Sequence, residues 1–516
     1  MNMGQSAMRR RLRQAVAVLG VALGGIGAVP AAPLPALVLD PTQITVSGIS
    51  SGAYMAVQFG TAHSAAVSGV AVTAGGPYFC AGEDARGGAA VSRVMARCMQ
   101  GDPDYPAVPI TAGDMAAMQA ATRAWAHQGR IDPLAGLARQ RIWIFHGYND
   151  GIVKRAVSDA LVDWYGAFVP AAQIFYRNDL NAAHAQISAS CTAAAPAASC
   201  NACAGTGGNF INSCPDRATG APQYDAAGAA LQFFLGPLQR TEPTALTGKL
   251  LSFDQAPYIR RGERTLAPIR ASMGPTGYLY LPAACAAGEP CRLHVAFHGC
   301  QQQAGRIGTT FAERAGFNEW ADANRIVVLY PQAAATSAVP ITPFNPKGCW
   351  DWWGYNDFFF DAVGRYATRD GVQIAAVWRM VQQLTGGGAG RVAGPVPAAA
   401  PVLRLADVSA HRVALAWTPV AGATAYRVYR SAAGNGAAQA VGEARAVPSV
   451  TDGRLAPSTA YRYRVHAVDA AGVEGAASAG LDVTTAAAAP ACDPYFSLAQ
   501  DRPVDARNRP TAAVCP

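Results

Sequence analysis

The stretch that most constrains this chain is Gly48-Ile49-Ser50-Ser51-Gly52, set directly after the apolar run Ile44-Thr45-Val46. Glycines two residues either side of a serine let the backbone turn sharply between a strand and a helix. The serine then holds a strained conformation at the tip of the turn and presents its hydroxyl, the geometry of a nucleophile elbow. Ser47 and Ser51 stand in the same run, but neither has glycine at both −2 and +2. In a chain with 53 glycines the pentapeptide needs partners elsewhere.

Those partners follow in order. Ile142-Trp-Ile-Phe145 reads as a buried strand that runs through His146 into a loop bearing Asp150. A helix is expected from Val157 to Phe168, then a short strand at Ile174-Phe-Tyr176, then a loop carrying His184. Strand, aspartate, helix, strand, histidine is how an α/β-hydrolase supplies its last two catalytic residues after the serine. Serine is a poor nucleophile until a histidine takes its proton. That histidine needs a carboxylate on its other nitrogen. The chain has eight histidines, and most are eliminated by position. His411 and His466 lie far downstream, His63 sits more than three turns beyond Ser50, and His127 has no strand-end context. His146 and His294 lie beside or within strands. Asp179 rivals Asp150 but comes after the second strand. The candidate catalytic residues are Ser50, Asp150 and His184.

A third strand, Leu293-His-Val-Ala-Phe297, ends in His298-Gly299-Cys300. In α/β-hydrolases a His-Gly turn after an early strand gives one N–H of the oxyanion hole, and the residue after the nucleophile gives the other. Ser51 and Cys300 are the candidates. The His-Gly turn follows His184 by more than a hundred residues instead of preceding the serine. The fold class expected is therefore α/β, a circularly permuted α/β-hydrolase with a largely parallel sheet. Residues from about 265 to 385 would form what is usually its N-terminal half.

The rest of the chain divides around this unit. Arg9, Arg10, Arg11 and Arg13 precede fourteen uncharged residues, Ala15 to Ala28, then Val29-Pro30-Ala31. That run is too short to span a membrane and reads as a signal peptide over 1–31. The catalytic domain would occupy 32–385 and a Gly/Pro/Ala linker 386–401. Residues 402–486 alternate with period two at Val413–Trp417, Ala425–Tyr429 and Tyr461–Val465, which fits a small β-sandwich. A short tail, 487–516, follows. Twelve cysteines in an exported chain argue for disulfides. Neighbour pairing suggests Cys80–Cys98, Cys285–Cys291 and Cys492–Cys515. Cys191, Cys200, Cys203 and Cys214 have zinc-like spacing but no carboxylate nearby to support a metal. Without the leader the chain has 37 basic and 33 acidic residues, a balance of +4. That gives no reason to expect nucleic-acid binding. No cofactor, no metal, no membrane span and a monomeric state are expected.

Three motifs carry a resemblance: Gly48-Ile-Ser-Ser-Gly-Ala-Tyr-Met-Ala56, Phe297-His-Gly-Cys300-Gln-Gln302 and Cys349-Trp350-Asp351-Trp352-Trp353-Gly354-Tyr355. Together they resemble extracellular poly(3-hydroxybutyrate) depolymerases of the type with an N-terminal serine motif, over residues 40 to 385. The resemblance implies Ser50, Asp150 and His184 as the triad, the Ser51 and Cys300 amides as the oxyanion hole, and a Cys300–Cys349 disulfide. It implies Trp350 as a cleft residue, with Tyr54, His298, Trp352 and Trp353 as further substrate contacts. The string Leu455-x-Pro457-x-Thr459-x-Tyr461-x-Tyr463 resembles a fibronectin type III domain with Trp417 in its core. The implied substrate is a solid or amorphous polyester, hydrolysed outside the cell or in the periplasm. An esterase of plant cell-wall acetyl or feruloyl groups would use the same chemistry. A catalytically inert polymer-binding protein is the alternative from another class.

Overall fold

The computed structural model describes residues 33–487 apart from 83–88, 102, 191–199, 263, 338–341, 360–363, 387–398, 422, 424, 433–437, 443–446 and 469–473, and adds 495–497 and 502–504. The expected signal peptide, most of the linker and the Cys492–Cys515 pair lie outside the described residues.

The main elements in chain order are β1 (Leu39–Ile49), α1 (Ser51–Ala62), β2 (Val67–Thr73), α2 (Ala112–His127), β3 (Arg141–Phe145), α3 (Arg155–Gly166) and β4 (Ile174–Arg177). There follow α4 (Ala226–Leu235), β5 (Lys249–Asp254), β6 (Thr276–Leu281), β7 (Cys291–Phe297), β8 (Ile326–Tyr330) and α5 (Val372–Leu384). Eight strands form one sheet in the order β4-β3-β2-β1-β7-β8-β6-β5. The six strands from β4 to β8 are parallel, while β6 pairs antiparallel with both β8 and β5. The sheet is thus mixed at one end, and its late half begins at 249, before the expected 265.

Both faces are covered, which is why the central strands read as continuous apolar runs. Side chains alternate across a strand, so β8 splits between two cores. Val327 and Leu329 join one with α1 and α5, and Ile326, Val328 and Tyr330 join the other with α4. Every residue of α1 is buried. The ends of the unit meet: Leu37 N–H donates to Leu384 O at 2.8 Å, and Gln383 Nε2 donates to Leu34 O at 3.2 Å. Among the described residues no helix is long and apolar enough to cross a membrane.

Residues 403–484 form a three-stranded and a five-stranded antiparallel sheet. Val413, Leu415, Trp417, Val428, Tyr463 and Val465, alternate residues of these strands, share one apolar core. Cys80–Cys98 and Cys285–Cys291 are bonded as neighbour pairing suggests, and Cys300–Cys349 as the resemblance implies. Cys203 pairs with Cys214, which removes both from any metal set.

The junction of β1 and α1 leaves no space for side chains. A methyl group on Gly48 would stand 2.0 Å from Gly52 O, and one on Gly52 would stand 2.3 Å from Phe297 O and 2.4 Å from His298 O. These are backbone atoms of packed elements and cannot step aside. Gly52→Ala should therefore destabilise the domain by about 3 kcal/mol, the upper range for overpacking. A denaturant unfolding midpoint equal to that of the parent would show that the contact is not tight.

Candidate active site

Ser50 links β1 to α1 with φ 55° and ψ −121°, a region that side-chain-bearing residues rarely adopt. Neighbouring elements hold it there. Ser50 N–H donates to Thr73 O at the end of β2 (3.0 Å), and Ser50 O accepts the Tyr54 N–H that opens α1 (3.1 Å). The rival serines are engaged elsewhere. Ser47 Oγ lies 2.7 Å from His294 Nε2, while Thr45 Oγ1 lies 2.8 Å from the other ring nitrogen. Burial lowers His294 to about 3, so the ring is a neutral bridge between β1 and β7. Ser51 Oγ accepts Trp350 N–H at 3.3 Å.

Asp150 and His184 come from loops at the ends of β3 and β4. Two backbone bonds stitch those loops together, Tyr148 N–H to Leu180 O and Asn149 N–H to Ala182 O, at 2.9 and 3.2 Å. His184 Nδ1 donates to Asp150 Oδ2 at 2.8 Å, which leaves Nε2 as the ring's acceptor. Asp150 Oδ1 accepts the N–H groups of Ile152 and Val153 at 2.8 and 3.0 Å. Burial pushes the Asp150 carboxyl up, but His184 and those N–H groups outweigh it and hold it below its ordinary value. Asp179, the rival acid, pairs with Arg177 at 2.7 Å.

The β7 strand end lies against the elbow. A methyl group on Gly299 would stand 3.5 Å from Ser50 Cβ. Among the described residues, the N–H groups of Ser51 and Cys300 donate to no protein acceptor, so two unused donors flank the serine. The Cys300–Cys349 disulfide, with Cα atoms 4.2 Å apart, ties this turn to the Trp350 segment.

The expected substrate contacts need correction. Trp350 and His298 are wholly buried, Tyr54 is 3% exposed and Trp352 5%. Trp350 packs on Phe297 and His298 behind the elbow, with ring centres 5.2 and 5.3 Å away. Tyr54 donates its hydroxyl to Cys98 O and stacks on Trp352 at 4.0 Å. Both His298 nitrogens bond to backbone groups. Of the five, only Trp353 keeps partial exposure. The cause is Asp351. Its carboxylate accepts the N–H groups of Gly354, Tyr355 and Asn356, so the chain folds back into a short helix, Tyr355–Phe359, and draws the tryptophans inward. Burial and neighbouring Asp357 push Asp351 up to about 7. Burial pushes Asp357 up to about 6. Sequence reasoning assigned no role to Phe210, whose ring stands edge-on to His184 at 6.5 Å, nor to Gln302, whose contacts form only in the fold.

An elbow serine between parallel strands, a histidine–aspartate pair on the following loops and two free amides beside the serine define an α/β-hydrolase. No family model matches the chain. It is 37% identical over 480 residues to a poly(3-hydroxybutyrate) depolymerase of Delftia acidovorans, covering 91% of this chain and 84% of the relative. It is 34% identical over 375 residues to a polyhydroxybutyrate depolymerase of Talaromyces funiculosus, covering 71% of this chain and 96% of the relative. A solved PHB depolymerase, a serine-to-alanine variant complexed with an R3HB trimer, superposes with a TM-score of 0.56 at 33% identity. That match covers 69% of this chain and 99% of the solved one. The chain belongs to the polyhydroxybutyrate depolymerase family.

Asn in place of Asp150 has a forced orientation. Its amide oxygen must face the Ile152 and Val153 N–H groups, so its NH2 faces His184 Nδ1 and moves the ring proton to Nε2. Asp150→Asn should therefore lower kcat on a soluble nitrophenyl ester by about 10⁴-fold, the effect of an inverted tautomer, with the fold intact by circular dichroism. A loss under about tenfold would show that His184 does not work through Asp150.

Proposed function

We propose that the protein is a secreted serine esterase that hydrolyses poly(3-hydroxybutyrate), or a related aliphatic polyester, to oligomers and monomer. What carries this reading is the 37% identity to a poly(3-hydroxybutyrate) depolymerase over 91% of the chain. Ser50 Oγ attacks the ester carbonyl as His184 Nε2 takes its proton. Asp150 holds the ring and stabilises the imidazolium. The N–H groups of Ser51 and Cys300 receive the oxyanion. His184 then protonates the departing hydroxy-acid oxygen, and an acyl group remains on Ser50. Water, deprotonated by the same ring, attacks the acyl carbon and frees the serine. No step needs a metal or cofactor.

The hydrolase domain reads as circularly permuted. Counted from β5, the sheet order becomes 1-2-4-3-5-6-7-8, with the His-Gly turn after the third strand and the serine after the fifth, the placement that α/β-hydrolases use. The adjacent ends at Leu37 and Leu384 support this, since a chain can be recut where its ends meet. Residues 402–486 read as a fibronectin type III-like spacer. The basic, apolar leader and the disulfides support export to the cell exterior.

Release of 3-hydroxybutyrate monomer and oligomers from amorphous and crystalline polymer tests the substrate. Turnover of a nitrophenyl ester with no polymer products would overturn the polyester reading. Acetylxylan and feruloyl substrates serve as the comparison.

Ser50→Ala should abolish ester hydrolysis by several orders of magnitude, as loss of a nucleophile does. Ser51→Ala should keep a substantial part, because alanine retains the backbone N–H. The reverse pattern would move the nucleophile to Ser51. Deleting 387–516 should leave soluble-ester hydrolysis nearly unchanged, because a solved depolymerase matches only 69% of this chain yet is itself 99% covered. Adsorption to polymer granules should weaken by less than about tenfold, or 1.4 kcal/mol. A far larger loss in the binding isotherm would make the C-terminal region a polymer-binding module.

A further inference from the structure

We propose that His298 and Gln302 are positioning residues that lock the Gly299–Cys300 peptide with its N–H facing Ser50. The inference rests on reading Cys300 as an oxyanion donor.

The ring of His298 has a fixed tautomer. Its Nε2 lies 3.1 Å from the Ala333 N–H, which can only donate, so Nε2 accepts and the proton sits on Nδ1. Nδ1–H then donates to Gly299 O at 2.7 Å. The carbonyl and N–H of a trans peptide point in opposite directions. Holding Gly299 O against His298 therefore turns the Cys300 N–H the other way. The torsions that turn this peptide are ψ of Gly299 and φ of Cys300, and with no Cβ at position 299 the first of them is little restricted without such a hold. A flipped peptide would aim a carbonyl oxygen where negative charge must develop.

Gln302, 1% exposed, holds the preceding peptide. Its Oε1 accepts Gly299 N–H at 2.7 Å. Its Nε2 donates to Asn209 O at 2.9 Å and Phe210 O at 3.1 Å. The partners dictate the amide's orientation, because the N–H can only donate and the carbonyls can only accept. Phe210 is the residue edge-on to His184. One side chain thus fixes the donor turn relative to the base.

The test compares His298→Phe, which keeps a ring but no donor, with His298→Asn, whose Nδ2–H can stand near the lost Nδ1–H, and with Gln302→Leu. Each is assayed on a soluble ester and on the matching thionoester, whose sulfur is a poor hydrogen-bond acceptor. His298→Phe and Gln302→Leu should lower kcat by about 10²-fold, the scale of a lost oxyanion donor, with KM within about threefold of the parent. The preference for ester over thionoester should shrink by about tenfold. His298→Asn should recover about tenfold of the lost kcat. Activity within about threefold of the parent in folded His298→Phe and Gln302→Leu would overturn the proposal. So would a fall in kcat with an unchanged ester-to-thionoester ratio. If His298→Phe does not fold, Gln302→Leu decides alone. Ser50→Ala runs in parallel: its inactivity beside fully active clamp variants sinks the clamp alone, and its activity would sink the nucleophile reading.

Discussion

Positions 48 and 52 cannot hold a methyl group, and the arrangement of the site follows from that close approach. Gly52 lies against the carbonyls that end β7, so the first turn of α1 is pressed onto the His298-Gly299-Cys300 turn. That contact brings the His298-Gly299-Cys300 turn, from a distant part of the chain, against the elbow serine. The left-handed backbone at Ser50 is what the packing leaves available. Its strain of order 1–3 kcal/mol is held in place by β2 on one side, through Thr73, and by the opening bond of α1 on the other.

At the site, Asp150 and His298 are matched to partners that allow one protonation pattern, and His294 is held as a neutral ring between two hydroxyl groups. An unpaired buried polar group is costly, so each match also removes an alternative. Asp150 has its two oxygens divided between backbone N–H groups and His184. His294 bridges two hydroxyl groups on β1. Burial lowers His298 to about 4, so its ring is neutral wherever the esterase would work. With Ser51 and Cys300 as the proposed oxyanion donors, such a site is pre-organised: donors need not reorient as charge develops, the condition under which electrostatic stabilisation is strongest.

The parts legible in the sequence were those whose logic is local. Ser50 was marked by its flanking glycines, and Asp150 and His184 by the strand and helix between them. Cys285 and Cys291 are separated by six residues, and Cys80 and Cys98 by eighteen, so proximity named the partner. The strands at 142–145 and 326–330 announced themselves by continuous apolar runs. What was hidden depended on tertiary contacts. The aromatic run at 350–353 looked like a wall because the rings that bury it, Phe297 and His298 against Trp350 and Tyr54 against Trp352, come from distant parts of the chain. Gln302 follows the His-Gly-Cys turn closely in sequence, but its carbonyl partners lie 93 and 92 residues away. The antiparallel strands β5 and β6 carry exposed or half-exposed positions and gave no comparable signal.

The Thr45–His294 contact joins residues 249 apart, and this fixes the order in which the molecule can become whole. A chain made or exported N-terminus first delivers β1 and the elbow long before β7. Through most of that interval β1 has a partner on one edge only, and Gly52 has no carbonyls to press against. The equilibrium penalty for so long a closure is small, about 0.6 kcal/mol for each doubling of length. The kinetic consequence is large, because non-local pairing is slow to form. The nascent protein therefore carries its serine without a working site, and esterase activity switches on only when nearly the whole hydrolase domain has emerged.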